Sequence, residues 1–274
     1  MIYKFPKELC NQSITTILDF YHLSKTNKYK FIMNALLNDN KINANTIINY
    51  GDEVIVDEKQ IKQNKYIPYK KKLNIIYEDE YIVIVYKPSL MLTHPDGFRQ
   101  DTMINAISNY FKNSPNVYEH IHRLDYETSG MLLVGKSLLS ISYLSYLMAS
   151  KKIEKEYICL CEGKFKHQTG SVNIGIARNR HDNTQRASYD GKDAKTFYEV
   201  LEYKDGFSKV KCQIIGGRTH QIRVHMAYIL HPVVGDKMYN TKVSNSRLML
   251  EFRKVSFVHP FTLQTVTYQI DDEF

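Results

Sequence analysis

Tryptophan is absent from the 274 residues, and no apolar run approaches the roughly eighteen residues that would mark a membrane span. The first residues, Met-Ile-Tyr-Lys-Phe-Pro-Lys-Glu, lack the apolar core of a secretory signal. A cytoplasmic protein that does not engage a membrane is therefore expected. Cysteine occurs four times, as Cys10, Cys159, Cys161 and Cys212, without the paired Cys-x-x-Cys spacing of a zinc site. Cys159 and Cys161 alternate with Leu160 in a strand-like run and are expected to share one face as small reduced hydrophobes. There is no glycine-rich phosphate loop, and no GxSxG frame surrounds Ser129. His220, His225 and His231 are spaced by five and six, which does not place two ligands on one helix face as i, i+4 spacing does. Phosphate-loop nucleotide chemistry, serine-nucleophile chemistry and a metal centre are all disfavoured.

What is present is ordinary in amount and uneven in charge. Apolar residues make up 43% and charged residues 24%, as in a globular protein with a self-sufficient core. Thirty-seven basic residues against twenty-nine acidic ones leave a net charge of +8, which favours an anionic partner such as nucleic acid. Tyrosine is abundant, at twenty-one.

Ile14, Ile17, Leu18 and Tyr21 fall at helical spacing, as do Phe31, Ile32, Ala35 and Leu36. Asn43-Ala44-Asn45 reads as a turn, and Gly51-Asp52 precedes an alternating strand from Glu53 to Asp57. From Glu58 to Lys72, Lys59, Lys62, Lys65, Lys70, Lys71 and Lys72 surround Pro68 with few apolar residues, a linker signature. Two units follow: residues 1–66, small and ending in the linker, and residues 67–274. The larger one opens with a β-hairpin over 73–86. Helices are expected over 102–112, after Lys136 and over 219–230, with strands near 154–162, 194–203, 207–215, 247–258 and 264–270. Many strands, few intervening helices and no βαβ rhythm predict an α+β fold on a mostly antiparallel sheet.

The most informative run is His122-Arg123-Leu124-Asp125-Tyr126-Glu127-Thr128-Ser129-Gly130, followed by the apolar Met131-Leu132-Leu133-Val134. It describes a carboxylate held at a loop beside cationic side chains, suited to staying ionised while meeting a polyanion. The run resembles the active-site motif of the RluA-type pseudouridine synthases. Further segments match that family in order: Lys87-Pro88 through His94-Pro95; Lys155-Glu156-Tyr157; Gly217-Arg218-Thr219-His220-Gln221-Ile222-Arg223-Val224-His225, continuing through Gly235-Asp236 to Tyr239; and Arg247-Leu248-Met249-Leu250 with Phe257 to Pro260. The resemblance spans residues 73–262. The order helix, helix, turn, Gly-Asp, strand before it resembles the small αL-motif RNA-binding domain appended to many such enzymes, with Lys25, Lys28 and Lys30 where relatives carry arginines.

The resemblance implies the pseudouridine synthase catalytic fold, a mixed and mostly antiparallel sheet flanked by helices around a central cleft. It implies isomerisation of uridine within RNA, without cofactor or metal. Asp125 is then the catalytic carboxylate, acting as nucleophile at the anomeric carbon or as base at the adjacent sugar carbon. Arg218 is expected to be the cation that keeps it charged, and Tyr157 to stack on the target base and help remove its carbon 5 proton. Arg123 is expected to fill the space left by the everted nucleotide. His122, Lys155, Thr219, His220, Arg223 and Leu250 complete the expected RNA-contacting set. Ribosomal RNA of the large subunit is the expected target ahead of transfer RNA, with the protein a monomer. The rival readings are a catalytically silent RNA-binding ribosome-assembly factor and, more distantly, a metal-dependent hydrolase. Three departures from the family pattern stand out: Leu90 where glycine is usual, Leu250-Glu251-Phe252 where Leu-His-Ala is common, and Asn240 after Tyr239, a residue type that tolerates left-handed backbone.

Overall fold

A computed structural model describes residues 1–179, 184–242, 246–271 and 274. The N-terminal unit runs β1 (Ile2–Lys4), β2 (Gln12–Ser13), α1 (Ile14–Phe20), α2 (Lys25–Met33), β3 (Ala35–Leu37), β4 (Asn40–Lys41), β5 (Ile47–Ile48) and β6 (Glu53–Val56). Ser13 and Ser24 start the two helices by accepting the Thr16 and Asn27 amides on their hydroxyls, the usual way to satisfy a first-turn donor. The second helix stops earlier than the spacing of Ala35 and Leu36 predicts. Asn38 and Asp39 take left-handed backbone at φ 49° and 65°, so the chain turns back as a hairpin and Ala35–Leu37 pairs with β6.

The larger unit continues β7 (Asn74–Glu78), β8 (Ile82–Lys87), α3 (Met103–Tyr110), β9 (Glu119–His120), β10 (Ser129–Gly135), α4 (Leu138–Ala149) and β11 (Glu154–Glu162). It then runs β12 (Thr169–Asn173), β13 (Ile176–Arg178), β14 (Gln185–Ala187), β15 (Lys195–Lys204), β16 (Phe207–Ile215), α5 (Gln221–Tyr228), β17 (Leu250–Val258) and β18 (Thr265–Gln269). The large sheet has the order β12-β15-β16-β11-β17-β10-β8-β7, with β18 on β17 and β9 on β10. All its pairs are antiparallel except β10 with β17, so the fold is α+β on a mixed, mostly antiparallel sheet.

The central strands are apolar without a break because both faces are covered. Ile82, Ile84, Met131 and Leu133 point into the main core with α4, while Val83, Val85, Leu132 and Val134 point into a second core with α3. A capping box between Ser137 and Ser140 begins α4. Gly130, at φ 118°, lies where β10 meets β17, and a Cβ there would sit 2.4 Å from the Phe252 carbonyl oxygen. Only glycine lets the two strands approach so closely.

The N-terminal unit shares the main core. Tyr3 and Tyr21 stack near Phe261 at 5.8 and 5.2 Å, Phe20 lies 5.4 Å from Tyr143, and the Tyr21 hydroxyl donates to the Pro260 carbonyl at 3.0 Å. Aromatic pairs of this kind are worth about 0.5–1.5 kcal/mol each beyond the area they bury. The lysine-rich stretch is likewise a strap laid along α3: Ser108 donates to the Tyr66 carbonyl at 2.7 Å, and the Asn105 side chain donates to that of Ile67 at 2.7 Å. Composition marks it as a linker because most of its lysines face solvent; its attachment is made by backbone carbonyls and by single polar contacts such as Lys62 with Glu119, which composition does not display.

Candidate active site

Asp125 stands in the loop between β9 and β10, and a second loop holds that loop in place. Thr93 Oγ1 donates to the Leu124 carbonyl at 3.0 Å and accepts the Leu124 amide at 3.0 Å. The Ser89 hydroxyl donates to the Glu127 carbonyl at 2.6 Å, and the Met91 amide to that of Tyr126 at 3.1 Å. Beneath them Lys87, fully buried, donates from Nζ to the carbonyls of Pro88, Met91 and Tyr126 at 2.9, 2.8 and 3.4 Å. Burial lowers its pKa to about 7, against the opposing pull of the Asp125 charge. Leu90 accepts the left-handed backbone that its place in the loop requires, at φ 61° and 56% exposed. Leucine holds this backbone at a strain of about 1–2 kcal/mol.

The cation beside Asp125 is Arg223, a correction to the expectation of Arg218. Arg223 Nη1 lies 3.9 Å from Asp125 Oδ2, and its side chain is 2% exposed. Arg218 lines the same cleft as Asp125 and Tyr157, but it precedes α5 on an exposed loop and its Nε donates to the Asp193 carbonyl at 3.1 Å. Arg223 sits in the first turn of α5, on the face turned toward the sheet, so its guanidinium reaches the interior. Asp236 receives it bidentately, Nε to Oδ2 at 2.7 Å and Nη2 to Oδ1 at 2.8 Å, the geometry that arginine offers and lysine does not. Glu127 Oε2 adds a contact at 3.4 Å. Burial opposes the guanidinium charge, yet Asp236, Asp125 and Glu127 together raise its pKa above the ordinary value.

His220 opens α5 with left-handed backbone at φ 57° and sits 4.0 Å from Asp125 Oδ2 through Nε2. Its Nδ1 is 2.8 Å from the Tyr239 hydroxyl, which accepts the Gln185 amide at 2.9 Å. That contact holds the ring with Nε2 toward Asp125. Burial lowers the His220 pKa, with the Asp125 charge pulling the other way. Tyr157 is buried and stacks on Phe252 at 4.7 Å and 24°. Burial first, and the Asp125 charge second, raise its pKa well above the ordinary tyrosine value, so it stays protonated.

The other expected contacts divide. Arg123 is exposed at the cleft mouth, and Leu250 forms part of its wall. Lys155 is buried with Nζ donating to the Gly216 carbonyl, and burial lowers its pKa to about 8. Thr219 is exposed on the loop before α5. His122 is turned toward the backbone, where its Nε2 accepts the Leu133 amide at 3.2 Å, and burial lowers its pKa to about 3. Glu251 is buried away from solvent and accepts the Tyr86 hydroxyl at 2.8 Å, and Asn240 does not adopt the left-handed backbone. The structural partners Lys87, Asp236 and Tyr239 were missed as working residues. Asp236 and Tyr239 lie within the matched run 231–239, so the motif itself contained the signal.

Residues 81–228 match the model of the RNA pseudouridylate synthase family. The chain belongs to that family. It is an RNA pseudouridine synthase of the RluA type, an isomerase. The uncharacterized RNA pseudouridine synthase YhcT of Bacillus subtilis is 34% identical to it over 234 residues, covering 82% of this chain and 77% of that protein. Ribosomal large subunit pseudouridine synthase D of Yersinia pestis is 30% identical over 234 residues, covering 84% and 72%. Human RNA pseudouridylate synthase domain containing 1 superposes with a TM-score of 0.63 at 26% identity, over 74% of this chain and 84% of that one. Among the described residues no helix is long and apolar enough to cross a membrane.

Proposed function

We propose that this synthase modifies uridine in large-subunit ribosomal RNA, as a cytoplasmic monomer, with Asp125 as its catalytic carboxylate. The observation that carries the site assignment is the setting of Asp125: it borders the cleft with a buried guanidinium at 3.9 Å, the His220 imidazole at 4.0 Å and the Tyr157 ring in the same wall. The ribosomal target rests on similarity to relatives named as ribosomal large subunit synthases. In the reaction the N1–C1′ bond of uridine breaks, a C5–C1′ bond forms, and the hydrogen on C5 is lost as one is gained at N1. No electrons enter or leave.

Asp125 meets the sugar as nucleophile at C1′ or as base at C2′. Either role places the carboxylate beneath a bound nucleotide, and the buried Arg223 guanidinium, 3.9 Å away, is the cation positioned beside it. Arg223 is not itself an acid at any working pH, so its part is to hold charge and position. Tyr157, protonated and flat against Phe252, presents a ring for the everted base. Eversion costs a few kcal/mol, which stacking of about 1–3 kcal/mol per base can offset in part. The test is Asp125→Ala assayed on transcripts of large-subunit ribosomal RNA. Pseudouridine formation should vanish while RNA affinity stays at the parent level; a variant that still forms product would remove Asp125 from the mechanism. A parent protein inactive on every such transcript but active on transfer RNA would redirect the target.

A further inference from the structure

A second cavity lies outside the cleft. It is a groove of about 590 Å³ where α2 meets the strap, bordered by Lys30, Lys59, Lys62, Lys65, Tyr66 and Glu119. Four lysines and one glutamate are among its lining residues. That carboxylate is occupied within the protein: Glu119 receives Lys62 at 3.0 Å and the Tyr66 hydroxyl at 2.6 Å. Lys30, Lys59 and Lys65 are exposed on the rim. The strap is held to α3 through the Tyr66 and Ile67 carbonyls, and Lys30 is carried on α2, so the rim lysines stand on packed elements.

The segment that borders this groove also leads to the cleft. Glu119 lies 2.9 Å from His120 Nδ1, and the His120 ring stacks on His94 at 5.3 Å and 13°. Arg123, further along the same segment, lines the cleft with Asp125. The stretch from Glu119 to Asp125 therefore runs from the border of a net-positive groove to the cleft.

We propose that the groove between α2 and the strap binds the phosphodiester backbone of the stem flanking the target loop, with Lys30, Lys59 and Lys65 as the phosphate contacts. This deepens the reading above, since it rests on RNA being the substrate. It assigns to the strap a role in grip: phosphate contacts carry affinity and orientation without reading sequence. The groove would take any RNA duplex of suitable reach, so choice of the uridine must be made at the cleft.

The experiment compares the parent chain with the triple variant Lys30→Gln, Lys59→Gln, Lys65→Gln, using an RNA stem–loop and titrating salt. Each lost phosphate contact should reduce the log–log slope by about 0.9 on a duplex, so the triple variant should lose roughly 2–3 units of slope. All three side chains are exposed, and thermal unfolding should match the parent. Turnover on a loop trimmed of its flanking stem should also match, because the cleft is untouched. An unchanged slope, or a parent that binds no stem–loop, overturns the proposal. So does equal competition by polyaspartate, which would mark the groove as a site for an acidic protein segment. Failure of the functional reading is separate: it appears as absence of pseudouridine in parent reactions, whatever the salt slope.

Discussion

Asp236→Asn isolates the support of Arg223 from the chemistry at Asp125. Both members of the pair are buried, and two hydrogen bonds of 2.7 and 2.8 Å join them. Asparagine keeps an oxygen for the Met238 and Tyr239 amides, which Asp236 Oδ1 accepts at 2.9 and 3.1 Å. It replaces the second oxygen with an amide group that points its hydrogens at the guanidinium. Losing one charge-assisted hydrogen bond costs about 1.5–3 kcal/mol, where removing the whole partner of a buried pair costs about 3–5. At roughly 2–4 °C per kcal/mol in a chain of this size, the variant should melt about 3–12 °C below the parent and still be folded at the assay temperature. Arg223 is then free to pair more closely with Asp125 or Glu127, and a displacement of about 1 Å beside a reacting group can cost on the order of a hundredfold in rate. The assay follows release of the C5 hydrogen from uridine labelled there, with RNA affinity measured in parallel. Turnover should fall while affinity holds. A folded variant that turns over at the parent rate would refute the view that Asp236 positions the cation for the reaction.

Tyr157→Phe keeps the stack on Phe252 and removes the hydroxyl; if that group serves in proton transfer, turnover should drop by about 10²–10⁴ with RNA affinity unchanged, and a variant of parental rate confines Tyr157 to stacking. Gly130→Ala places a Cβ 2.4 Å from the Phe252 carbonyl oxygen in a backbone region that alanine avoids, so it should lower the urea midpoint sharply, by more than the roughly 1–3 kcal/mol of ordinary overpacking. A parental midpoint would show that the strands can separate there. Lys87, with a folded pKa of about 7, binds fewer protons in the folded chain than in the unfolded one between pH 7 and its ordinary value. Across that window its contribution makes stability rise with pH, by up to about 1.4 kcal/mol per unit, and below pH 7 it is flat. Lys87→Met should remove that rise, so parent and variant curves that run parallel from pH 7 to 9 would count against a depressed Lys87.

Local signals were legible wherever one face or one spacing decides the element. The hairpin of β7 and β8, the strands β11, β15, β16, β17 and β18, and the helices α1, α3, α4 and α5 lie close to where alternation or helical spacing put them. The short pairs β3 with β4 and β13 with β14 did not show, because two or three residues carry too little pattern and each depends on a partner to exist. At the site, Asp125 and Tyr157 were readable from their runs and do border one cleft. The partner of Asp125 was misassigned. Arg218 and Arg223 belong to the same matched string, and nothing in the string says which guanidinium points inward.

The amino-acid order alone determined the family and most of the regular elements, because those rest on short-range spacing and on runs of particular side chains. Tertiary structure decided which arginine meets the acid, since that depends on where α5 begins and which way its first turn faces the sheet. It also decided that the N-terminal unit is packed and not tethered, and that Lys59, Lys62 and Lys65 of the strap gather with Lys30 around one groove. Those are contacts between groups far apart along the chain, and only the closing of the core brings them within reach.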